Sequence, residues 1–203
     1  MKTKIMIILS LVLLTVSCKK TVNKEEVDTI SKVQTTDIAK KQEFSKTLIW
    51  KNTNFKIKVE QDTLLSIQPK GLEISNDKFS HDILGSSVVD AEITDMDGDN
   101  HAEILVYLIS DGSGSYGNVI AYSVNNGKSI SEILYNTEGD TDEVKVGYMG
   151  HDSFSVKENK LERRFPIYKE NDTNANPTGG ERIVQYKLVK GNNGKLLVID
   201  KIK

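Results

Sequence analysis

The sequence predicts an all-β fold, an antiparallel β-sandwich or flattened barrel of about eight or more strands. From Thr47 onward, short apolar runs recur at spacings near ten residues, with Gly, Asn and Asp at their ends. Only three prolines interrupt the chain. Short strands separated by turn residues at this spacing are typical of hairpin-linked antiparallel sheets.

The strand-like runs follow one another along the chain. Phe55, Ile57 and Val59 alternate with charged residues, as in a strand with one buried face. The later runs are SVVDAEIT, EILVYLI, NVIAYSV, SISEILY, DSFSV, LERRF, RIVQYKLV and KLLVID. Hairpin turns are predicted between several of them, at NNG (125–127), EN (158–159) and GNNG (191–194). EILVYLI is apolar on both faces, which predicts a central strand covered on both sides.

The first residues are typical of an export signal. Residues 1–18 combine Lys2 and Lys4 with an apolar run too short to span a bilayer, and they end in LTVSC. This ending resembles the lipobox of bacterial lipoprotein signal peptides. That resemblance implies an acylated Cys18, the only cysteine, and an exported lipoprotein anchored to the outer membrane, on its periplasmic face or at the cell surface. The alternative is a signal peptide with an incidental cysteine.

Two further segments follow the leader. Residues 19–45 are polar and rich in lysine, which predicts a tether, and residues 46–203 form the predicted folded domain. The whole chain has a formal net charge of -2 and no aromatic-basic motif, so no nucleic-acid partner is expected. Between Asp90 and Glu143, however, there are twelve acidic residues and one base, Lys128, and this block contains the segment DGSGSYG. Such a block predicts an acidic field around that segment, which would steer a cationic partner toward it; the alternative is a set of solvated hairpin loops. The oligomeric state is left open, and a homodimer is possible.

The segment DGSGSYG, residues 111–117, separates two of the apolar runs. Its glycines predict an exposed turn with residues at positive φ. A simple turn has no need of the large ring of Tyr116. We therefore interpret the segment as a presented loop that directs Ser113 and Tyr116 at a partner. The alternatives are a tyrosine that packs on the end of the sandwich and an ordinary turn serine.

A second motif, TDMDGDNHAE, spans residues 94–103. Asp95, Asp97, Asp99 and Glu103 occupy positions 1, 3, 5 and 9 of a calcium-binding loop, where alternate oxygens converge on one cation. Asn100 replaces the glycine that such loops favour, and no flanking helices are apparent. A structural calcium ion is therefore one hypothesis. The alternative is a turn in which the carboxylates accept hydrogen bonds from backbone amides.

Catalytic motifs are weak. His81, His101 and His151 lie in unrelated segments, so no base is evidently placed beside a nucleophile or a zinc ion. Ser113 lies in SGSYG, which differs from the GxSxG nucleophile elbow because a strand-like run follows it where the elbow opens a helix. We expect a protein that is not an enzyme.

Three ordered segments carry a resemblance to a known family: DMDGDNHAEILVYLISDGSGSYGNVIAYSVNNGKSISEI, GYMGHDSFSV, and RRFPIYKENDTNANPTGGERIVQYKLV. They resemble the periplasmic inhibitors of invertebrate-type (i-type) lysozyme, which carry a Ser-Gly-x-Tyr loop after a DxDGD turn and an apolar strand. The resemblance implies a β-sandwich whose loop enters the active-site cleft of lysozyme. It implies that Ser113 and Tyr116 are the contact residues and that Gly112, Gly114 and Gly117 permit a tight, protruding backbone.

Two further interpretations and one rival function accompany this resemblance. The polar segment 169–182 is predicted to be a surface loop that offers a second contact, and Arg163 and Arg164 are interpreted as structural ion-pair or strand-face residues. The rival function is a calcium-stabilised binding module of the cell envelope that uses the DxDGDxxxE loop.

Overall fold

The structure is a computed structural model that describes residues 43–135 and 140–203. The predicted signal peptide, the lipidation site Cys18 and most of the predicted tether lie outside the described residues. Within the described part, no helix combines the length and the apolar composition that a membrane crossing requires.

The first sheet is built from four antiparallel strands in chain order. They are β1 (Ser45–Trp50), β2 (Thr53–Glu60), β3 (Leu64–Lys70) and β4 (Phe79–Asp82). Along β2, buried side chains alternate with exposed lysines, as the sequence predicts. This sheet therefore presents one apolar face to the interior and one polar face to solvent.

The second sheet contains β5 (Ser86–Thr94), β6 (Glu103–Ser110), β7 (Gly117–Asn125) and β8 (Ser129–Ile133), again in chain order. The turn between β7 and β8 holds Asn126 and Gly127 at φ of 52° and 73°. The Lys128 N–H donates to the Asn125 carbonyl at 2.9 Å, so these are the two central residues of the turn, and positive φ at both is a feature of turns in β-hairpins. The chain then forms a four-residue helix, α1 (Asp142–Lys145).

The third sheet contains β9 (Ser153–Lys157), β10 (Lys160–Pro166), β11 (Glu181–Gly191) and β12 (Gly194–Ile202). The second and third sheets meet at one edge, where a single parallel bridge joins Leu134 to Leu196. Their other edges are joined by the backbone N–H of Val156, which donates to Glu92 Oε2 at 2.7 Å.

The second sheet is the middle layer of the fold, because each of its faces packs in a different core. Alternate β6 side chains point in opposite directions: Ile104 and Val106 lie in a core with the first sheet, and Leu105 and Tyr107 lie in a core with the third. The predicted doubly covered strand is therefore confirmed.

The predicted antiparallel all-β sandwich is confirmed, with twelve strands and a third sheet among the described residues. Every predicted strand-like run corresponds to a strand within one or two residues of its ends. Three strands, β1, β3 and β4, had no individual prediction. Pro69 and the continuous burial of Leu65, Ser66 and Ile67 hide the alternation in β3.

Candidate functional site

The connection between β6 and β7 is a compact loop of residues 111–116 whose base is closed by hydrogen bonds. Ser110 N–H donates to the Tyr116 carbonyl at 2.8 Å, and Tyr116 N–H donates to Ser110 Oγ at 2.9 Å. Ser115 N–H donates to the Gly112 carbonyl at 3.0 Å, which forms a tight turn at the tip. The two strands of the hairpin therefore fix the loop at the end of the middle sheet.

The two side chains predicted to contact a partner are both accessible. Ser113 is exposed, and Tyr116 exposes 51% of its surface. The Tyr116 ring is not free on all sides, because it lies over Gly114 and contacts the ring of Tyr148 edge-on at a centroid distance of 5.7 Å. One face of the tyrosine is thus supported by the protein, and the rest remains open to solvent.

The glycines of the loop act differently from the prediction. Gly112, Gly114 and Gly117 do not adopt positive φ, whereas Ser115 does, at 44°. A Cβ atom at Gly114 would lie 2.4 Å from the Tyr116 ring, and one at Gly117 would lie 2.5 Å from Asp152 Cβ. The prediction of positive φ at the glycines was wrong, since Gly114 and Gly117 provide space for close packing.

Two other segments lie against the loop. His151 N–H donates to the Gly114 carbonyl at 2.6 Å, and Asn174 Nδ2 donates to the Ser113 carbonyl at 2.9 Å. The His151 ring and the Asn174 side chain are themselves hydrogen-bonded, at 3.0 Å. Asn174 belongs to the polar segment 169–182, so the structure places this long loop directly beside the SGSYG loop.

A buried ionic cluster lies behind the loop. Arg163, 1% exposed, donates through Nε to Asp152 at 2.6 Å and through Nη1 to Asp140 at 2.8 Å. Its guanidinium lies 4.6 Å from the ring centroid of Tyr148 and 4.9 Å from that of Phe165. Burial raises the pKa of Asp140, although Arg163 opposes the shift. The interpretation of Arg163 as a structural ion-pair residue is confirmed.

Arg164 is also an ion-pair residue, on the outer face of the third sheet. Its guanidinium contacts Glu162, and Nη1 lies 3.1 Å from Glu181 Oε2. Arg163 and Arg164 are neighbours in sequence, so the pleat of β10 directs them to opposite faces. The sequence does contain a sign that Arg163 is buried. Leu161, Arg163 and Phe165 occupy alternate positions of one strand, and a charged residue between two apolar ones on a buried face indicates an ion pair in the interior.

The acidic turn before β6 is organised by backbone amides and one lysine. Asp95 accepts hydrogen bonds from the N–H groups of Gly98 at 2.7 Å and Asn100 at 2.8 Å. Carboxylate oxygens of Asp95, Asp97 and Asp99 lie within 4.8 Å of one another. These hydrogen bonds match the turn that the sequence left open as an alternative, and the same three carboxylates remain the predicted ligands in the calcium hypothesis.

Lys195 supplies a positive charge to this turn from β12. Its ammonium lies 2.7 Å from Asp97, 3.3 Å from Asp99 and 3.2 Å from Glu103. Glu103 is fully buried, and its carboxylate also accepts hydrogen bonds from Met96 N–H and Ser123 Oγ. Burial raises the pKa of Glu103, against the effect of these donors. Sequence reasoning missed Lys195, which is 92 residues from Glu103.

The acidic residues do not form one belt around the SGSYG loop. Asp95, Asp97, Asp99 and Glu103 lie at the start of β6, and the loop follows its end, about 25 Å away at the usual rise of a strand. Asp111 does lie in the loop, where it accepts a hydrogen bond from Ser87 Oγ at 2.7 Å. The predicted acidic field around the loop is therefore wrong for the densest acidic cluster.

The three histidines have separate hydrogen-bond partners. His81 Nε2 lies 2.7 Å from the Tyr122 hydroxyl, His101 donates its backbone N–H to Asp99, and His151 contacts Asn174. Asn174 links His151 to the loop, because it contacts the His151 ring and donates to the backbone carbonyl of Ser113.

The chain was compared with protein-family models, with curated proteins and with solved structures, and none of the three comparisons finds a match.

Proposed function

We propose that the protein is a lysozyme inhibitor that inserts its SGSYG loop into the active-site cleft of an i-type lysozyme and so protects peptidoglycan. The observation that carries the proposal is the geometry of the loop: an exposed Ser113 and a half-exposed Tyr116 stand at the end of a sheet, on a backbone held by surrounding hydrogen bonds. The protein acts by occupying the cleft and performs no catalysis itself.

The chemistry of the two side chains suits a lysozyme cleft. Glycosidases of this kind carry an acid and a second carboxyl group on either side of the scissile bond. Hydroxyl groups of Ser113 and Tyr116 donate hydrogen bonds to such carboxylates, and the tyrosine ring fills space that a sugar would occupy. Tyrosine loses little rotamer entropy on binding, and the Tyr148 contact restricts Tyr116 beforehand.

Contact rather than long-range attraction provides the affinity in this proposal. The cluster at Asp95, Asp97 and Asp99 is remote from the loop and partly neutralised by Lys195. The adjoining segment 169–182 widens the surface beside Ser113, through Asn174. In the cell, the sequence supports placement of this domain on a lipid anchor at Cys18, in the outer membrane.

The test is a cell-wall lysis assay with invertebrate-, chicken- and goose-type lysozymes, combined with direct measurement of Kd. The Ser113→Ala, Tyr116→Ala double variant is expected to raise Kd for the inhibited enzyme by about 100-fold or more, because two central contacts are removed. The control is Ile74→Ala, Ser80→Ala, which removes one large exposed side chain from the connection between β3 and β4 and one exposed hydroxyl from β4. Equal inhibition by both double variants would contradict the proposal.

A further inference from the structure

We propose that Asp152 is a positioning residue that holds the SGSYG loop in its binding conformation, an inference that rests on the proposed function. Asp152 lies outside the loop, two residues beyond Gly150, and its side chain is completely buried. Its carboxylate is nevertheless in direct contact with the loop and with the residue that supports Tyr116.

One carboxylate oxygen connects two parts of the site. Asp152 Oδ2 accepts a hydrogen bond from the backbone N–H of Gly117 at 2.7 Å and another from the Tyr148 hydroxyl at 2.6 Å. Gly117 is the last residue of SGSYG, and Tyr148 supplies the ring against which Tyr116 packs. Asp152 therefore fixes both the backbone exit of the loop and the support beneath its aromatic side chain.

The other oxygen connects this arrangement to the core. Asp152 Oδ1 accepts a hydrogen bond from Arg163 Nε at 2.6 Å, and Arg163 is itself held by Asp140 and lies beside the neighbouring rings of Tyr148 and Phe165. A buried charge-assisted bond of this kind has a narrow range of geometries. Through this bond, Asp152 connects the loop to β10, a strand of the third sheet, so the position of the loop does not depend on the β6–β7 hairpin alone.

Steric contact reinforces the same link. A Cβ atom at Gly117 would lie 2.5 Å from Asp152 Cβ and 2.5 Å from the Phe154 ring, so no side chain fits between the loop and the carboxylate. A glycine at this position allows the backbone N–H to reach the buried acceptor. Gly117 and Asp152 therefore act together to hold the end of the loop, although 35 residues separate them in the sequence.

Asp152→Asn is the informative variant because it keeps the size of the side chain and removes its charge. The amide retains one acceptor oxygen, so it cannot serve Arg163, Tyr148 and Gly117 together. We expect the loop to open locally more often in this variant. The matched control is Asp200→Asn, which removes a carboxylate bonded to Lys160 at 2.6 Å and Lys187 at 3.0 Å, on strand β12.

The experiment measures amide hydrogen exchange in the free full-length protein, together with thermal unfolding and the Kd for lysozyme. In Asp152→Asn, exchange at Gly117 and Tyr116 is expected to accelerate at least tenfold more than exchange in the core of β6, and Kd is expected to rise about tenfold. Asp200→Asn is expected to change neither the exchange rate at Gly117 and Tyr116 relative to the core of β6 nor the Kd. If exchange at Gly117 rises only in step with the core, Asp152 is a general stability residue and the inference is wrong.

A second variant keeps the test decisive if Asp152→Asn does not fold. Tyr148→Phe keeps the ring beneath Tyr116 and removes only the hydroxyl bond to Asp152. We expect a smaller acceleration at the same amides, about threefold, and an unchanged rate would overturn the inference. Because exchange is measured without lysozyme, failure of the wild type to bind any lysozyme would overturn the proposed function and leave the exchange result to decide the role of Asp152.

Discussion

Replacement of Lys195 by methionine tests the organisation of the acidic turn. Methionine keeps much of the length of the lysine side chain and removes the ammonium, which lies within 3.3 Å of Asp97, Asp99 and Glu103. Asp97 and Asp99 remain partly in contact with water, but the Glu103 side chain is 0% exposed. The main consequence therefore falls on Glu103, whose buried carboxylate loses its cationic partner.

The magnitude follows from the burial of the two partners. Removal of one member of a fully buried ion pair destabilises a protein by about 3–5 kcal/mol. Here the lysine side chain is 20% exposed, and Glu103 keeps its bonds to Met96 N–H and Ser123 Oγ. We therefore expect a smaller loss, about 2 kcal/mol of the free energy of unfolding at neutral pH.

The loss is expected to shrink as the solution is acidified. Burial raises the pKa of Glu103 in the folded protein, and removal of Lys195 eliminates a charge that lowers it. A carboxyl group whose pKa is higher in the folded state binds more protons when folded, so its stability contribution is lost as pH rises through that pKa. The Lys195→Met variant should therefore recover stability relative to wild type as the pH falls from 7 toward the unfolded pKa of glutamate.

The assay is urea denaturation followed by the fluorescence of Trp50, the only tryptophan, whose Nε1 lies 3.5 Å from the carbonyl of Asn100 in the acidic turn. The control is Lys187→Met, which removes a half-exposed ion pair and should change stability by no more than about 0.5 kcal/mol. Equal stability of wild type and Lys195→Met would refute the reasoning.

The same variants distinguish the calcium-binding module from the inhibitor. In the wild type, Lys195 holds a positive charge beside the carboxylates that a calcium ion would use. We expect millimolar calcium to leave Tm of the wild type unchanged relative to chelator, and to raise Tm more in Lys195→Met. A rise of several degrees in the wild type would favour the calcium-stabilised module.

Two further substitutions test the packing around the site and the middle layer. Gly150→Ala places a Cβ atom 2.0 Å from the Gly114 carbonyl oxygen, at a φ of +90°. We therefore expect the free energy of unfolding to fall by about 1–3 kcal/mol and lysozyme inhibition to weaken. Wild-type values in urea denaturation and lysis assays would contradict the close contact. Leu105→Ala leaves a cavity at a fully buried position between the middle and third sheets. We therefore expect the free energy of unfolding, measured by calorimetry, to fall by about 2–5 kcal/mol. A decrease below about 1 kcal/mol would contradict the doubly covered strand.

Local sequence patterns were sufficient for most of the fold. Alternation defines β2, and continuous apolarity defines β6, because burial on one or both faces of a strand leaves a direct trace in the sequence. In β3, burial of Ser66 and the presence of Pro69 remove that trace. The number of layers was not predictable either, since a doubly covered strand indicates that two covers exist but does not identify the strands that form them.

The candidate site was predictable only in its exposed part. Gly, Ser and Tyr between two apolar runs identify the loop, whereas Asp152 and Asn174 reach it from segments that are 35 and 61 residues distant. Such contacts depend on the arrangement of sheets, which no local pattern contains. Lys195 illustrates the same limit, because a lysine at the start of a strand is usually a surface residue and here contacts a buried glutamate.

The geometry of β6 allows the two candidate functions to be separated within one molecule. The strand has the acidic turn at its beginning and the SGSYG loop at its end, with eight residues between them. The Lys195 contacts and the Asp152 contacts share no residue, and mutations at sites this far apart generally have additive effects. A change at Lys195 should therefore alter stability and the response to calcium without altering Kd for lysozyme, and a change at Tyr116 should do the reverse. Coupling between the two ends would require the middle sheet to shift as a unit, which its packing on both faces opposes.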